Sequence, residues 1–527
     1  MTNVKDSQHV LVEDILLNAM LMTDGYKLGH HCMYPKGMTQ LFSNFTPRSN
    51  KYFPEATEGA VVFGIQYFIK KYLINTFNNY FFNLDEDTVR KTYTDLTTTF
   101  LGEAVANKVG VDHIIALHKL GYLPIRIKAL PEGSYCPIGC PILTITNTHP
   151  DFAWLTNYLE SLTSNVLWLP ITSATTADVF KRELVRHAMK TGFYNPDDMS
   201  NLAFLCHDFS MRGMSSFEAS IVSGMAHLTS FCGSETVPAV KMVQYYYNAD
   251  PKKELIAATV PATEHSIECS NATDETGKPN DEVYFKNMLD EFPDGIISIV
   301  ADGYDYWYFL TKIVPKYKEQ IMSRNGRVVI RPDSGDPVKI ICGDPEAEDP
   351  FVKMGSYEFL WNTFGGTFNE KGYKVLDTHI GLLYGDSINM KRQKDTYAQL
   401  EDKGFAATNL IEGIGSFTYN VRSRDSLGIA CKSTWCKVDG KAIEIYKDPK
   451  TVCGMPKKSH RGLLMVVKDG NGKYVPVDRV TPEEEASDKN ELKTVFEDGK
   501  LVREFTLAEI RKTRQDAVHK LLDGTID

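Results

Sequence analysis

The sequence predicts an α/β protein in which a barrel of buried strands is inserted into an antiparallel-sheet α+β domain. Between residues 202 and 416, short apolar runs recur and each breaks into a polar turn. Residues 123–145, and two stretches beyond residue 426, instead show the alternation and turn signals of antiparallel strands. We therefore expect three segments: 1–165 and 426–527 form the sheet domain, and 166–425 form the α/β barrel.

The barrel prediction depends on six apolar runs and the turns that follow them. Runs of this length, bounded by Gly, Pro and Asp, are typical of strands buried on both faces. An α/β barrel carries its active site at the carboxyl ends of such strands, so the pattern predicts an enzyme. The runs and their turns are Leu202–Cys206 before His207–Gly213, Val260–Ala262 before Thr263–Ser266, Ile296–Val300 before Asp302–Asp305, Val328–Ile330 before Arg331–Pro337, Ile380–Leu383 before Gly385–Ser387, and Leu410–Ile411 before Glu412–Ser416.

The remaining elements are predicted from periodicity and capping residues. Apolar side chains on one face predict a helix over Gly64–Tyr72, and Asp151 is a plausible N-cap for a helix from Phe152 to about Trp168. Prolines interrupt the strands predicted between Leu123 and Ile145, which suits tight turns. Near the C-terminus the sequence predicts strands over Leu427–Tyr446 and Leu463–Val477, and an amphipathic helix over Thr506–Leu521.

Composition excludes several classes of protein. The net charge of −10 gives no overall positive field for nucleic acid or an anionic membrane. No apolar stretch reaches the length of a membrane span, and the first residues lack the pattern of a secretory signal. The ten cysteines lack paired C-x-x-C knuckles. The Pro and Gly residues between Cys136 and Cys140 indicate a turn between strands rather than a zinc site. We expect reduced thiols and a cytoplasmic location.

Two arginines stand where a phosphate could bind. Arg212 precedes Ser215–Glu218, an S-x-x-E pattern that predicts a capping box, and free N–H groups at a helix start attract phosphate. A surface ion pair between Arg212 and Asp208 is the alternative. Arg331 and Asp333 share one turn, where Arg can grip a phosphate in bidentate fashion and Asp can accept from sugar hydroxyls. The same pentapeptide is also common as an ordinary turn.

The other turns add a histidine, carboxylates and glycines. His265 could be a general base, a metal ligand, a phosphoryl acceptor or simply a satisfied polar residue. Asp302, Asp305 and Asp386 are candidate magnesium or ribose ligands, because Mg²⁺ takes one or two carboxylates beside phosphate oxygens. The Gly413–Ser416 turn offers backbone N–H groups to a phosphate. Together these turns predict a pocket for a phosphorylated sugar with Mg²⁺, and the chain has neither a P-loop nor a Rossmann fingerprint.

At this point the sequence resembles the nicotinamide phosphoribosyltransferases, members of the type II phosphoribosyltransferase family. The resemblance runs from about residue 20 to the C-terminus, and the motifs follow the family's order. The matching segments are Thr23–Lys27, Phe63–Tyr67, His207–Phe209 with Arg212–Gly213, Pro261 with Glu264–Ser266, Asp302 with Tyr304–Asp305, Arg331–Gly335, Gly385–Asp386 and Arg424–Asp425.

The resemblance implies a pentosyltransferase of NAD salvage with a type II phosphoribosyltransferase-like α/β barrel. It would make nicotinamide mononucleotide and pyrophosphate from nicotinamide and 5-phosphoribosyl 1-pyrophosphate, with Mg²⁺ and with ATP as a coupling co-substrate. His265 would be phosphorylated from ATP. An active homodimer with composite sites is also implied, without nucleic-acid or membrane partners.

The family's roles carry over residue by residue. The resemblance assigns the pyrophosphate to Arg212 and Arg331, the ribose to Asp333, and the surroundings of the Mg–pyrophosphate to Asp302. It places Phe209 on one side of the nicotinamide ring and Tyr26, from a second subunit, on the other. The 5′-phosphate end would be held by Gly385, Asp386, Ser416 and Arg424.

The sequence departs from the family's pattern at Glu235, where an Asp is expected to contact the substrate carboxamide. A carboxylate accepts from an amide and repels a carboxylate, so the preference for nicotinamide over nicotinic acid is expected to persist. Ser416 stands where a related loop has glycine. Two alternatives stay open: a nicotinate phosphoribosyltransferase of the same fold and, more remotely, a non-catalytic signalling or scaffold protein.

Overall fold

The computed structural model describes residues 18–192, 195, 200–447 and 459–522. Within this part, the chain forms two compact units. The first contains residues 18–175, Tyr245–Asn248 and Ser423–Ile510, and the second contains Thr176–Gln244, Ala249–Arg422 and the residues from Arg511 onward. The first unit is therefore assembled from segments that are far apart in the sequence.

The first unit is organised on a seven-stranded antiparallel sheet, as the alternating segments predict. Strands from both ends of the chain are neighbours in it, since Met38–Thr46 pairs with both Leu143–Asn147 and Ala430–Val438. In sheet order the strands are Lys441–Glu444, Ala430–Val438, Met38–Thr46, Leu143–Asn147, Ile125–Ala129, Lys493–Glu497 and Lys500–Leu501. Two further pairs are Ala60–Val61 with Tyr135–Cys136, and Leu464–Lys468 with Tyr474–Asp478.

A buried carboxylate explains the helix start after Gly64. Glu132 accepts hydrogen bonds from the N–H groups of Gly64 at 3.0 Å and Gln66 at 2.6 Å. Gly64 adopts φ = 96°, a left-handed conformation that glycine reaches without strain. The predicted helix is confirmed as Ile65–Phe68 followed by a π-helical stretch Ile69–Thr76.

The predicted Asp151 cap is wrong. His149 caps this start, because its side chain accepts from the Asp151 N–H and Pro150 fixes the first turn of a 3₁₀ helix. The chain then continues through Leu155–Tyr158 into the 32-residue helix Glu160–Thr191, which contains Pro170. The remaining helices of the first unit are Ala19–Leu21, Gly25–Gly29, His30–Met33, Asn78–Phe82, Glu86–Leu101, Glu103–Val109, Asp112–Leu120, Arg424–Ser426 and Pro482–Glu485.

The second unit is built on six parallel strands. In chain order they are β1 (Cys206–Asp208), β2 (Gly233–Ser234), β3 (Gly295–Val300), β4 (Gly326–Arg331), β5 (Ile380–Tyr384) and β6 (Leu410–Ile414). They pair in the order β2-β1-β6-β5-β4-β3, and every pairing is parallel. The segment 258–262 bridges both edge strands, from Ala258 to Gly233 and from Ala262 to Ser298, so the sheet closes into a barrel.

The predicted rhythm of apolar runs is confirmed for four of the six runs. The predicted run Leu202–Cys206 reaches its strand only at Cys206, the run Val260–Ala262 forms only an isolated bridge at Ala262, and Gly233–Ser234 was not predicted. The other four runs lie within strands.

The helices of this unit pack against the outside of the barrel or lie beyond the carboxyl ends of its strands. The core includes Ile297 and Ile299 of β3, Val328 and Ile330 of β4, and Leu382 of β5, all at most 1% exposed. The helices are Ser200–Leu202, Met211–Gly213, Phe217–His227, Val237–Tyr246, His265–Asn271, Asp281–Glu291, Tyr306–Tyr308, Phe309–Ile313, Val314–Tyr317, Lys318–Met322, Pro337–Cys342, Pro350–Met354, Ser356–Phe364, Met390–Asp402, Ala407–Asn409, Ser416–Tyr419 and Leu507–Leu522. A hairpin joins Gly366–Phe368 to Lys374–Leu376. No helix among the described residues is long and apolar enough to cross a membrane.

Candidate active site

The predicted site residues converge on a cavity at the carboxyl ends of the barrel strands. Its volume is about 1060 Å³, and nine of the twelve predicted side chains line it. The nine are Phe209, Arg212, Glu235, His265, Arg331, Asp333, Gly385, Asp386 and Ser416. Asp302 is not among the lining residues but bonds directly to two neighbours of the cavity. Tyr26 and Arg424 belong to the first unit.

Two glycines form the surface on which the Phe209 ring lies. A Cβ added to Gly385 would be 2.9 Å from Phe209 Cε2, and a Cβ on Gly413 would be closer still to the ring. The Phe209 N–H donates to the Ile414 carbonyl at 2.9 Å, which fixes the loop to β6. Gly385 and Gly413 therefore leave room for the Phe209 ring because they have no side chains. The ring also lines the cavity.

Arg212 occupies a short turn beside Ser416. It lies in the 3₁₀ helix Met211–Gly213, and a Cβ on Gly213 would collide with Ser416 Oγ. The alternative ion pair with Asp208 is wrong. The buried Asp208 carboxylate instead accepts from the Ser210 N–H at 2.9 Å and from Thr236 Oγ1 at 2.6 Å. Arg212 is exposed and has no carboxylate partner within the described residues, so it is available to an anion.

The predicted capping box beside Arg212 is wrong by one residue. Ser216, not Ser215, caps the helix Phe217–His227, and its Oγ accepts from the Ala219 N–H at 3.0 Å. Glu218 therefore falls one position too early to complete the reciprocal bond. Ser216 and Phe217 both line the cavity, so the start of this helix faces it as expected.

Arg331 is held at the end of β4 by neighbouring acceptors. One terminal nitrogen donates to the Thr263 carbonyl at 2.7 Å, and the other lies 3.3 Å from Asp333 Oδ2. Burial raises the pKa of Asp333, and the nearby Asp302 and Asp386 carboxylates raise it further, against the opposing effects of Arg331 and His265. This wall of the cavity thus combines a fixed guanidinium with several carboxylates.

Asp302 connects the histidine to the Arg331 turn. Its Oδ1 lies 3.2 Å from His265 Nε2, and its Oδ2 accepts from the Asp333 N–H at 3.0 Å and from the Ser334 hydroxyl. His265 begins the helix His265–Asn271 and keeps 48% of its side chain exposed. The imidazole is therefore both oriented by a buried carboxylate and reachable from the cavity.

Glu235 follows β2 directly and lines a part of the cavity away from the Arg331 turn. Its N–H donates to the Asp208 carbonyl at 2.9 Å, and its Oε1 accepts from the Thr259 hydroxyl. Thr259 also lines the cavity, although it was not among the residues predicted from the sequence. Its position ahead of the Val260–Ala262 run was the available signal, because this run proves to be the segment that closes the barrel.

Two further buried groups lie near the site, and the sequence assigned a role to neither. Glu268 lies one turn after His265 and is fully buried against Gly303; burial raises its pKa to about 7. His207 lines the cavity, and burial lowers its pKa to about 4, so its ring is neutral at physiological pH.

The candidate ligand Asp305 instead caps the helix Tyr306–Tyr308 by accepting from the Tyr308 N–H at 3.0 Å. Asp305 thus serves as a helix cap in this structure.

The donor set of the cavity bears on the predicted magnesium chemistry. Among the described residues, no cluster of three or more His, Cys, Asp or Glu side chains forms a metal cage. Asp333 and Asp386 line the cavity with oxygen ligands, and Mg²⁺ needs only one or two protein carboxylates when phosphate oxygens complete its shell. The residues present therefore fit a cation that arrives with a phosphorylated substrate.

The two predicted residues of the first unit are both accessible. Tyr26 is 63% exposed, in the short helix Gly25–Gly29. Arg424 begins the 3₁₀ helix Arg424–Ser426 and lies 3.3 Å from Asp425, with about half of its side chain exposed.

Known structures share this fold. A nicotinate-nucleotide pyrophosphorylase from Pyrococcus furiosus superimposes with a TM-score of 0.56 at 14% identity, covering 99% of both chains. Human nicotinic acid phosphoribosyltransferase gives a TM-score of 0.52 at 14% identity, covering 95% of this chain and 94% of that one. The parallel barrel and the antiparallel sheet thus define the fold class of the chain as type II phosphoribosyltransferase-like.

Sequence comparisons place the chain within this class. The nicotinate phosphoribosyltransferase (NAPRTase) family matches residues 204–500, and the nicotinamide phosphoribosyltransferase N-terminal domain matches residues 18–127. A nicotinamide phosphoribosyltransferase from Acinetobacter baylyi is 44% identical over 96% of this chain and 99% of its own length. One from Xanthomonas campestris is 32% identical over 94% of this chain and 97% of its own. The chain belongs to the nicotinate phosphoribosyltransferase family.

Proposed function

We propose that this enzyme joins nicotinamide to 5-phosphoribosyl 1-pyrophosphate, forming nicotinamide mononucleotide and pyrophosphate for NAD salvage. The observation that carries the proposal is the convergence of Phe209, Arg212, His265 and Arg331 on one cavity. The full-length similarity to nicotinamide phosphoribosyltransferases supports the choice of pyridine.

The reaction needs little acid–base chemistry. The lone pair of the pyridine nitrogen forms the new bond to the ribose C1, while the bond from C1 to the pyrophosphate oxygen breaks and its electron pair leaves with pyrophosphate. Negative charge therefore grows on the leaving group, where Arg212 and Arg331 can stabilise it. Mg²⁺, when bound with the substrate, would neutralise part of the same charge.

The remaining residues would position the sugar and its 5′-phosphate. Asp333, held beside Arg331, is placed to accept from a ribose hydroxyl. Gly385, Asp386 and Ser416 line the neighbouring part of the cavity and are proposed contacts of the phosphate end. The resemblance assigns Arg424 to the same end of the nucleotide.

Phe209 and Glu235 would select the pyridine. The ring of Phe209 would stack on nicotinamide, and the Glu235 carboxylate would accept from the carboxamide NH₂. A carboxylate at this place repels nicotinic acid, which favours nicotinamide over the nicotinate alternative. Tyr26 of a second subunit would cover the other face of the ring, so we include a homodimer with composite sites in the proposal.

His265 is proposed as an acceptor of a phosphoryl group from ATP rather than as a base. The imidazole is exposed to the cavity and oriented by Asp302, as a nucleophile requires. ATP would then couple its hydrolysis to substrate capture. The reduced thiols expected from the sequence suit a cytoplasmic enzyme.

Steady-state kinetics with each pyridine test the proposal. With phosphoribosyl pyrophosphate, nicotinamide should give mononucleotide and pyrophosphate in equal amounts, and nicotinic acid should react far more slowly. Radioactive γ-phosphate from ATP should label the wild-type protein but not His265→Ala. Preferred use of nicotinic acid would establish the nicotinate alternative, and consumption of neither pyridine would overturn both enzyme readings.

A further inference from the structure

A second cavity lies at the opposite edge of the barrel, before the strands begin. Its volume is about 300 Å³, near the lower end of the range for small-ligand pockets. Ala203 and Thr229–Cys232 line it, and these residues precede β1 and β2. The C-terminal helix Leu507–Leu522 and the helix Glu160–Thr191 supply its other walls. It is therefore separate from the catalytic cavity, which lies beyond the carboxyl ends of the strands.

A buried amine points to a ligand in this cavity. Lys181 is only 7% exposed, and its Nζ donates to the Leu202 carbonyl at 3.2 Å. The same Nζ lies 4.9 Å from the centre of the Phe231 ring. No carboxylate among the described residues pairs with it. A buried ammonium normally has an anionic partner, because desolvation penalises an isolated charge.

The other charges around the cavity are also predominantly positive. Arg511 lines it, is fixed by bonds to the Leu228, Leu255 and Ile256 carbonyls at 2.6–2.7 Å, and lies 3.6 Å from the Glu254 carboxylate. Arg514 lines it too and pairs with the buried Asp178, which Arg182 also contacts. Among the described lining residues there is no carboxylate. Since these two arginines have carboxylate partners, an anion in the cavity would balance the charge of Lys181, for which no carboxylate partner is found among the described residues.

We propose that this second cavity binds a small anion of the phosphate class, with Lys181 as its principal ligand. Phosphate at neutral pH is an anion that presents mainly acceptor oxygens, which matches an ammonium with one acceptor in use, and the Ser230 hydroxyl adds a neutral donor. Burial lowers the pKa of Lys181 to about 8, and the Arg511 charge acts in the same direction. A bound anion would reverse this shift by favouring the ammonium.

Isothermal titration calorimetry tests the proposal when it is done with variants in which anion binding at the catalytic cavity has been weakened. Arg331→Ala removes the main anion grip at the active site, and Arg331→Ala/Lys181→Met also removes the second-cavity amine. At pH 7 and matched ionic strength, the single variant should still bind inorganic phosphate, and the double variant should bind it at least about tenfold more weakly, as expected for loss of a charged hydrogen bond. Absence of binding to the single variant, or equal binding to both, would overturn the proposal.

Parallel titrations identify the source of the anion. Inorganic phosphate, pyrophosphate and glycerol 3-phosphate share the same chemistry but differ in size and substitution. Preference for inorganic phosphate indicates a free ion, preference for pyrophosphate a product site, and preference for the ester a phosphorylated metabolite. If the single variant binds none of the three, the second cavity is not a phosphate site.

Covalent labelling of the wild-type enzyme gives an independent test that does not depend on the folding of a variant. The aldehyde of pyridoxal phosphate condenses with a neutral amine, releasing water, and borohydride reduces the imine to a stable secondary amine. Peptide mass spectrometry should find Lys181 modified, and inorganic phosphate should lower that modification several-fold. Unmodified Lys181, or modification that phosphate leaves unchanged, contradicts the proposed site.

Discussion

Replacing Gly413 by alanine should displace the ring that we propose stacks on the substrate. An added Cβ would lie 3.0 Å from Gly385 Cα and closer still to Cδ2 and Cε2 of Phe209. Ordinary carbon contacts are about 3.5–4.0 Å, so the ring has to move by roughly an ångström. Overpacking of this kind costs about 1–3 kcal/mol of stability, and a shift of this size near the reacting atoms costs up to about 100-fold in rate.

Gly415→Ala is the matched control. No heavy atom lies within 4 Å of a Cβ at Gly415, and its φ of −86° suits alanine. We expect kcat/KM for nicotinamide to fall about 10- to 100-fold in Gly413→Ala. The fall should be smaller in Gly415→Ala, because Gly415 also lines the cavity but a Cβ there would bring no clash with the Phe209 ring. Loss of a favourable N-cap glycine in the control can lower stability by up to about 1 kcal/mol, so the kinetic comparison is the decisive one.

A double-variant cycle with Phe209→Ala assigns the clash to the ring. Urea unfolding should show that Gly413→Ala destabilises the wild-type background but has little effect once Phe209 is alanine, because the two sites are in contact. Equal destabilisation in both backgrounds would refute the reasoning. So would a Gly413→Ala enzyme with unchanged kinetics and stability.

Three other substitutions test separate parts of the site and the fold. Glu235→Ala should weaken nicotinamide capture about tenfold or more, the size of a lost charged hydrogen bond, and should relax discrimination against nicotinic acid; unchanged kinetics with both pyridines removes the assignment. Asp302→Asn should lower kcat/KM about 10- to 100-fold, as when a histidine loses its orienting carboxylate, and should reduce phosphate labelling of His265, whereas normal labelling would contradict it. Glu412 is fully buried and its pKa is raised to about 8 by burial, so wild-type stability falls as pH rises from about 4.5 to 8, because the unfolded chain loses this proton first. Glu412→Gln should therefore gain about 2–3 kcal/mol relative to wild type between pH 5.5 and 7.5 in urea unfolding, and a pH-independent difference would show that this carboxyl is ionised when folded.

The sequence located most of the catalytic cavity because of one geometric fact. Carboxyl ends of parallel strands share an edge, so Phe209, His265, Arg331 and Asp386, far apart in sequence, had to lie near one another once their runs were assigned as strands. The antiparallel sheet was predictable for a similar reason, since alternation identifies its strands without specifying their partners.

What the sequence did not reveal depends on single contacts. Segment 258–262 closes the barrel through one bridge on each side, so Thr259 lies within the closing segment. It was missed because functional residues were expected only after the run Val260–Ala262, and Thr259 precedes it. The cap at Ser216 rather than Ser215 is decided by which hydroxyl reaches Ala219. The roles of Gly385 and Gly413 appeared only with the Phe209 ring in place, and Lys181 carries no motif that connects it to the C-terminal helix.

The central claim is that separate strand-end turns form one cationic cradle for an activated sugar and its pyridine. A crystal structure with nicotinamide mononucleotide and pyrophosphate tests it most directly. We predict the pyridine ring against Phe209, and pyrophosphate oxygens within hydrogen-bonding distance of Arg212 and Arg331. Product bound elsewhere, or pyrophosphate contacting neither arginine, would contradict the account.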